Sequence, residues 1–559
     1  MSALIIFGLL TVLMITGMPV SIALGLTVLT FMFTMTSTPS VEVAHKLFTG
    51  IENFGVMAIP FFILAGNFLT HGGVARRMIR FATSVVGHLH GGLGLAGVLA
   101  CALFAAVSGS SPATVVAIGS ILLPAMVKAG FPKRFGAGII TTSGALGILI
   151  PPSIVMVMYS IATNTSVGAL FMAGVVPGLI LATLLGLTTW YLARKHNYPR
   201  VMLFPERSVW QASISSSFGG FFALMFSVAP PYVFGKLLSF WLDGGLPYFI
   251  ATIVWLALVP WTTRNIWVTR IIYIGLVVVG IPMQASIFAI DLMPSASIGQ
   301  IVMVTAVIML GWISLIQACG RYAQIAPTFL FELKWEALAV WRAYWESVWG
   351  LLLIVVVMGG IYTGVFTPTE AAAVSAVYAF IVAVFVYKDL KLSDVPRVLL
   401  SSANLSAMLL YIITNAVMFS FVLANEGIPQ HLADWMISQG FGPIAFLLAV
   451  NLLLLMAGNF LEPSSIVLIM APMLFPVAMK LGINPVHFGI IMTVNMEVGM
   501  CHPPVGLNMY VASGVAKMGI TELTVAVWPW LLTMLVFLGL VTYWPDMSLW
   551  LPNLLGLVN

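Results

Sequence analysis

Residues 147–159 read GILIPPSIVMVMY and residues 499–511 read GMCHPPVGLNMYV, so a double proline stands twice inside apolar sequence, at an offset of 352 (503 − 151). Proline removes a backbone donor and interrupts a helix. The sequence therefore predicts two copies of one broken-helix unit, residues 1–200 and 341–559, an arrangement typical of transporters whose site lies where the copies meet. The residues identical at this offset include Pro124, Gly130, Thr141, Gly147, Pro151, Pro152 and Pro177, which recur as Pro476, Gly482, Thr493, Gly499, Pro503, Pro504 and Pro529.

The composition is that of a membrane protein. Of the 559 residues, 61% are hydrophobic and 7% are charged, and the mean hydropathy is +1.10, whereas about a quarter of the residues in a soluble domain are charged. A span needs roughly 20 apolar residues, so the length allows about a dozen or more spans and hairpins. We therefore expect an all-α polytopic protein in contact with membrane lipid and without a nucleic-acid partner. The cysteines Cys101, Cys319 and Cys501 are scattered, which favours neither a disulfide framework nor a metal site.

Basic residues predict that the two copies have opposite orientations in the membrane. Arg76, Arg77 and Arg80 follow an early span of the first copy, whereas the corresponding stretch of the second copy, around Gln430 to Asp434, has no Lys or Arg. Because Lys and Arg in short loops remain on the cytoplasmic side, this difference predicts an inverted-topology repeat.

Each copy is expected to contain a re-entrant hairpin and a broken helix. The first hairpin tip reads SGSSPAT (108–114), and the second reads NFLEPSS (459–465). The helices that follow are interrupted at the two double prolines. Non-helical backbone at membrane depth must be buried in protein or line a cavity, so the four interruptions are expected to converge on one site. One such break alone is more often a packing kink, but symmetric pairs favour function.

The chemistry expected at these interruptions is the binding of ions. Unwound carbonyl groups can coordinate a hard cation such as Na⁺, and the N-termini of half-helices favour an anion. The predicted Na⁺ ligands are backbone carbonyls near Ser108, Gly144, Asn459 and Gly499, with Na⁺ as the coupling ion and no other cofactor. The candidate substrate-binding or ion-binding residues are Ser108, Gly109, Ser110, Ser111, Pro112, Thr114, Gly144, Gly147, Pro151, Pro152, Ser153, Asn459, Glu462, Pro463, Asn495, Glu497, Gly499, His502, Pro503, Pro504 and Gly506.

Three ionisable residues in apolar sequence have competing interpretations. Burial of Glu462 and Glu497 in a membrane protein is costly, which favours function over a structural brace. His502 could titrate near neutral pH, but a buried histidine is more often a structural donor.

Several stretches resemble the large membrane subunit of tripartite ATP-independent periplasmic (TRAP) transporters. They are SGSSPAT (108–114), GILIPPSIVMVMY (147–159), GIYTGVFTPTEAAAVSAVYA (360–379), NFLEPSSIVLIMAPMLFPVAMKLGINPVHFGIIM (459–492) and PPVGLNMYVASGVAK (503–517). The resemblance covers roughly residues 1–200 and 340–559, and the sequence NMEVGM looks most like the C4-dicarboxylate branch. In the segment that matches the family's GxFTPTEA, Glu370 could cap or brace a helix. His502 stands where relatives often have Thr, which puts a hydroxyl ligand there in doubt.

The resemblance implies an elevator-type secondary transporter of the ion-transporter superfamily in the bacterial inner membrane. Such a transporter takes an organic acid, here a C4-dicarboxylate, from a periplasmic substrate-binding protein. It is driven by Na⁺ and works with a small membrane subunit.

Residues 201–340 look like an apolar multi-span insertion, because relatives usually have a short connection there. The segment from Phe331 to Trp349 carries Trp and charged residues as an interfacial helix does. The insertion could stabilise the scaffold or replace the small subunit, and the sequence does not decide between these roles.

The sequence leaves two alternative functions, a different kind of carrier and an intramembrane enzyme. A stand-alone carboxylate or anion carrier would need no binding protein. An intramembrane zinc protease would need the motif H-E-x-x-H, which the sequence lacks.

Overall fold

The computed structural model describes residues 2–35, 40–49, 52, 54–199, 327–459, 461–503 and 506–558. Most of the predicted insertion, Cys319 and the candidate Pro504 therefore lie outside the described residues. The described ranges form helices and contain no strand. The α-helices are α1 (Ser2–Ile15), α2 (Val20–Met35), α3 (Ser40–Thr49), α4 (Ala58–His71), α5 (Val74–Val86), α6 (Gly92–Ser108), α7 (Ser111–Lys128), α8 (Lys133–Gly144), α9 (Ile154–Thr163), α10 (Val167–Lys195), α11 (Pro327–Tyr362), α12 (Pro368–Ile381), α13 (Val395–Asn425), α14 (Ile428–Ser438), α15 (Pro443–Gly458), α16 (Pro463–Lys480), α17 (Pro485–Cys501), α18 (Leu507–Ala516), α19 (Ile520–Tyr543) and α20 (Asp546–Leu554).

The helices are those of a multi-pass membrane protein. Within the described residues, seven helices are long and apolar enough to cross a membrane, or up to eight if one pair bent by 68° forms a single span. That pair is Gly55–His71 and Val74–Val86. Shorter apolar helices, among them Gly92–Ser108 and Pro443–Gly458, accompany the spans. The predicted all-α polytopic class is confirmed.

The order of helices in the first half recurs in the second half at nearly the offset of the sequence identities. The starts of α6 and α15 differ by 351 (443 − 92), those of α7 and α16 by 352 (463 − 111), and those of α8 and α17 by 352 (485 − 133). For α9 and α18, and again for α10 and α19, the difference is 353 (507 − 154 and 520 − 167). The two halves therefore share one sequence of elements, while the inversion of one copy relative to the other stays a prediction.

Helices of one half pack against helices of the other half in matched pairs. Helix α4 packs against α12, and their counterparts at the offset, α13 and α2, also pack together. Helix α7 packs against α18, and their counterparts, α16 and α9, do the same. The two halves consequently share one hydrophobic interior, and neither half buries its apolar surface alone.

The basic residues that predict the orientation lie on a helix, whereas the charge pattern predicts a short loop. Arg76, Arg77 and Arg80 belong to α5, which is amphipathic and buries one face. Arg77 forms an ion pair with Asp389, and its guanidinium lies 3.7 Å from the ring centroid of Tyr387. The corresponding element of the second half is also a helix, α14. The contrast in charge is thus between two short helices.

Two expectations about local structure have clear outcomes. Glu370 caps α12: the Thr367 side chain accepts a bond from the Glu370 N–H, and the Glu370 carboxylate accepts one from the Thr367 N–H at 2.8 Å. This capping box confirms the role expected for Glu370. The predicted interfacial segment from Phe331 to Trp349 is not a separate helix but part of α11. No Pro or Gly interrupts residues 331–349, so nothing ends the helix there.

We predict that replacing Gly138 with Ala destabilises the protein. A Cβ at Gly138 would lie 2.6 Å from the carbonyl oxygen of Ala526 and 2.7 Å from the Trp530 ring, so α8 and α19 would have to separate. Overpacking of this kind costs about 1–3 kcal/mol, and the apparent melting temperature in detergent should fall by several degrees. Gly514→Ala is the control, because no atom of the described residues lies within 4 Å of a Cβ there. Equal melting temperatures for the two variants would contradict the described packing.

Candidate functional site

The first hairpin tip is shorter than the sequence predicts. Helix α6 ends at Ser108 and α7 begins at Ser111, so Gly109 and Ser110 alone are non-helical. Gly109 has a φ of 61°, in the left-handed region that suits glycine. The residues Ser111, Pro112 and Thr114 lie in the first turn of α7 because proline is tolerated at a helix start, where its missing N–H has no partner to lose.

Hydroxyl groups close the first tip upon itself. The Ser108 and Thr114 hydroxyl oxygens are 3.0 Å apart. The Thr114 hydroxyl also donates to the Ser110 carbonyl at 2.8 Å. Ser108 and Thr114 are buried. The tip is therefore ordered by its own side chains and holds buried hydroxyl oxygen atoms.

The first tip lies directly on the first broken helix. Ser111 Oγ donates to the Gly144 carbonyl at 3.0 Å. A Cβ at Gly147 would lie 2.7 Å from the Ser110 carbonyl, and one at Gly109 would lie 2.6 Å from the Pro152 carbonyl oxygen. These glycines are required because a side chain at either position would separate the tip from the break. The structure thus brings together the candidates from both parts of the first copy.

The first break spans Leu149 to Ser153, after a 3₁₀ turn formed by Ala145–Ile148. Ser153 caps the half-helix that follows: its hydroxyl donates to the Ile148 carbonyl at 2.5 Å and accepts from the Met156 N–H at 3.4 Å. Pro151 and Pro152 have no N–H to satisfy. The cap and the prolines together leave few unmet backbone groups at the break.

The second tip is built from an amide, an imidazole and a carboxylate. Helix α15 ends at Gly458 and α16 begins at Pro463. Asn459 Oδ1 lies 3.2 Å from His502 Nδ1, so the tip contacts the second break. The Glu462 carboxylate accepts a bond from the Ser464 hydroxyl at 2.8 Å.

The close approach of α15 and α17 depends on two glycines. A Cβ at Gly458 would lie 3.0 Å from the Gly499 Cα, and one at Gly499 would lie 3.1 Å from the Gly458 Cα. Gly499 is therefore a helix-packing residue of α17. It is not part of the break, which begins at His502.

Asn495 and Glu497 are helical and fully buried in α17. Asn495 Nδ2 donates to Asn451 Oδ1 at 2.9 Å, but Asn495 Oδ1 has no hydrogen-bond partner among the described residues. Neither carboxyl oxygen of Glu497 has a described hydrogen-bond partner. A bare carboxylate in this environment is costly unless a cation or a proton neutralises it.

Three residues that were not among the candidates connect the two copies at the site. Asn508, in the first turn of α18, donates from Nδ2 to Ser111 Oγ at 2.7 Å and to the Thr141 carbonyl at 3.4 Å. Cys501 Sγ lies 3.3 Å from the same Thr141 carbonyl. Thr141 was visible as one of the residues identical at the offset, and Asn508 as the one amide just after the second double proline.

The four interruptions meet pairwise and not as one set of hydrogen bonds. Each tip contacts the break of its own copy, through Gly109 and Pro152 in the first and through Asn459 and His502 in the second. The second half-helix α18 reaches Ser111 through Asn508. Within the described residues, no hydrogen bond joins the two tips, and no group of three His, Cys, Asp or Glu side chains could hold a metal ion. The atoms that could hold Na⁺ are carbonyl, hydroxyl, amide and carboxylate oxygens, which suit a hard cation.

The comparisons with known proteins agree on one family. The family model "Tripartite ATP-independent periplasmic transporter, DctM component" matches residues 7–234 and 280–547. A protein of Rhodobacter capsulatus, named as a C4-dicarboxylate TRAP transporter large permease, is 57% identical over 100% of both chains. A protein of the same name from Pseudomonas aeruginosa is 42% identical over 92% of this chain and 90% of its own.

A third relative is longer than this chain. It is the isethionate TRAP transporter permease protein DctMQ of Oleidesulfovibrio alaskensis, which is 32% identical over 97% of this chain but only 65% of its own length. The matches also bear on the predicted insertion at 201–340. The R. capsulatus protein aligns along the whole chain, including residues 201–340. Within residues 201–340, the family model leaves only residues 235–279 unmatched.

Three findings lead to one conclusion: the match to the family model, the helices that are long enough to span a membrane, and the relatives that align over the full length of the chain. The chain is a multi-pass protein of the bacterial inner membrane and belongs to the DctM component family, the large permease of tripartite ATP-independent periplasmic transporters.

Proposed function

We propose that this permease carries a C4-dicarboxylate into the cell in symport with Na⁺, by an elevator movement of the two hairpins and broken helices. A periplasmic binding protein delivers the substrate, and a small membrane subunit completes the transporter. The substrate class is taken from the relatives at 57% and 42% identity, which are both named for C4-dicarboxylates.

The observation that carries the proposal is a set of buried oxygen atoms without partners beside the two breaks. Ser143 Oγ, Asn495 Oδ1 and both carboxyl oxygens of Glu497 have no described hydrogen-bond partner. Ser143 and Asn495 correspond at the offset (143 + 352 = 495), so each copy carries such an atom at the same place. Buried acceptors are normally satisfied, and a small hard cation would satisfy these.

The half-helices supply the opposite polarity that an organic acid requires. Helices α7, α9, α16 and α18 all begin at an interruption, so their first N–H groups and positive dipole ends lie at the interruptions. No Lys or Arg lies among the candidate residues. Substrate charge would therefore be balanced by Na⁺ ions and helix ends, which explains in physical terms why substrate binding should depend on Na⁺.

The partners are proposed from the family and from one relative. This chain covers 65% of the DctMQ permease, so roughly the remaining third of that protein is additional sequence. We infer that the corresponding function is supplied to this chain by a separate small subunit. The binding protein is proposed because the family is that of periplasmic tripartite transporters.

Uptake should require an inward Na⁺ gradient. In proteoliposomes that contain the permease, its small subunit and liganded binding protein, we expect the initial rate of succinate uptake to fall at least about tenfold when K⁺ replaces Na⁺. Wild-type uptake should also respond to membrane potential if more Na⁺ charge than substrate charge enters. Uptake that is unchanged in K⁺ and follows only a pH gradient would show that Na⁺ is not the coupling ion.

The binding protein should be obligatory, which separates the tripartite function from that of a stand-alone carrier. Proteoliposomes with the two membrane subunits and an inward Na⁺ gradient should accumulate no succinate until liganded binding protein is added outside. The control is a binding protein from a TRAP system for a different organic acid, loaded with its own ligand. Robust uptake of free succinate would favour the stand-alone carrier.

A further inference from the structure

We infer that Asn508 is a positioning residue for the first hairpin: from the second copy, its side-chain amide fixes the Ser111 hydroxyl and thereby the affinity of the first tip for its coupling cation. The inference rests on the proposed Na⁺ coupling. It assigns a role to a residue outside both tips and outside both double prolines.

The geometry places one amide at the junction of three elements. Asn508 is fully buried and lies in the first turn of α18, which packs against α7 and α8. Its Nδ2 donates to Ser111 Oγ of α7 at 2.7 Å and to the Thr141 carbonyl of α8 at 3.4 Å. The same nitrogen lies 3.8 Å from the Cys501 sulfur at the end of α17. A single side chain therefore joins the first tip, the first broken helix and both sides of the second break.

The bond to Asn508 decides how the Ser111 hydroxyl is used. Ser111 Oγ donates its one proton to the Gly144 carbonyl at 3.0 Å and accepts from Asn508. With the donor committed and one lone pair occupied, the hydroxyl cannot rotate, and its second lone pair has a fixed direction. A cation at the first tip would meet a preorganised oxygen, which lowers the cost of binding.

The first copy cannot make the reciprocal contact. The residue that corresponds to Asn508 is Met156 (508 − 352 = 156), and the residue that corresponds to Ser111 is Pro463 (111 + 352 = 463). Neither Met156 nor Pro463 offers a side-chain hydrogen-bond donor. The link between the copies through Asn508 therefore runs in one direction, from the second break to the first tip.

Removal of the amide should change Na⁺ affinity more than maximal rate. In Asn508→Ala, the Ser111 hydroxyl loses its anchor, and we expect the Na⁺ concentration for half-maximal succinate uptake to rise about fivefold to tenfold. The maximal rate at saturating Na⁺ should stay within about twofold of the wild type. Asn508→Leu keeps the branched shape of the side chain and removes its polar atoms, so it should raise the half-maximal Na⁺ concentration by a similar factor. It replaces Asn508→Ala in the test if the alanine variant folds poorly.

The matched control is Asn415→Ala. Asn415 is also a buried asparagine, but it lies in α13 and donates to the Tyr411 carbonyl of its own helix at 3.0 Å. Its loss removes an amide of the same kind without touching either break. We expect the half-maximal Na⁺ concentration of this variant to equal that of the wild type.

A double-mutant cycle with Ser111→Ala tests whether Asn508 acts through Ser111. If it does, Ser111→Ala raises the half-maximal Na⁺ concentration, and Asn508→Ala adds no further change in that background. A wild-type value for both Asn508 variants overturns the inference, and so do additive shifts from Asn508→Ala and Ser111→Ala.

The same cycle on melting temperature in Na⁺-free buffer separates this inference from the proposed function. If wild-type uptake does not depend on Na⁺, the proposed Na⁺ coupling is wrong, but the contact between Asn508 and Ser111 is not yet tested. The double-mutant cycle on melting temperature then tests that contact. Losses in melting temperature that simply add overturn the positioning role. Losses that do not add retain Asn508 as the partner that fixes Ser111.

Discussion

The structure depends on one constraint: a broken helix inside lipid frees backbone groups that only protein can satisfy. In this chain, that need is met by bringing tips and breaks into contact. The Gly144 carbonyl accepts from Ser111, and the Thr141 carbonyl accepts from Asn508 and lies against Cys501. Because these partners come from different helices and from both halves, the breaks hold the two halves together.

The packing of helices of one half on helices of the other half follows from the same constraint. Helix α7 packs on α18, and α16 packs on α9. In each hairpin, the second helix therefore packs on the half-helix that follows the break of the other copy. Within each copy, the close approach of the tip to the broken helix requires small residues, which are Gly109 and Gly147 in the first copy and Gly458 and Gly499 in the second. The proposed elevator movement would use such a site, with its two sets of parts exposed alternately to the two sides of the membrane.

The two copies share a backbone plan but differ in chemistry. Glu497 corresponds to Ala145, His502 to Ile150 and Asn508 to Met156. The second copy thus carries the ionisable and amide groups, whereas the first tip carries the hydroxyls of Ser108, Ser111 and Thr114. This division supports a site in which the copies have different roles in holding cations and substrate.

Proline, glycine and hydropathy were sufficient to predict the helical class and the approximate positions of the interruptions. The limits of the tips were wrong by a few residues, because proline is acceptable in the first turn of a helix and does not mark its outside. Asn508 was missed because its partners Ser111 and Thr141 lie 397 and 367 residues away along the chain, which local spacing does not report. Asn451 was missed for the same kind of reason, since its partners Asn495 and Thr542 lie 44 and 91 residues away. Arg76 and its neighbours were placed in a loop because charge alone does not distinguish a loop from an amphipathic helix.

The central claim is that both hairpin tips belong to one moving site. The most direct test places single cysteines at Ser110 and at Ser464 in a background without Cys101, Cys319 and Cys501, and measures their labelling by an impermeant thiol reagent from each side. We expect the accessibility of both to change together when Na⁺ and substrate are varied, while a cysteine at Ser438, at the exposed end of α14, stays constant. Tips that never respond, or that respond independently of each other, would contradict the account.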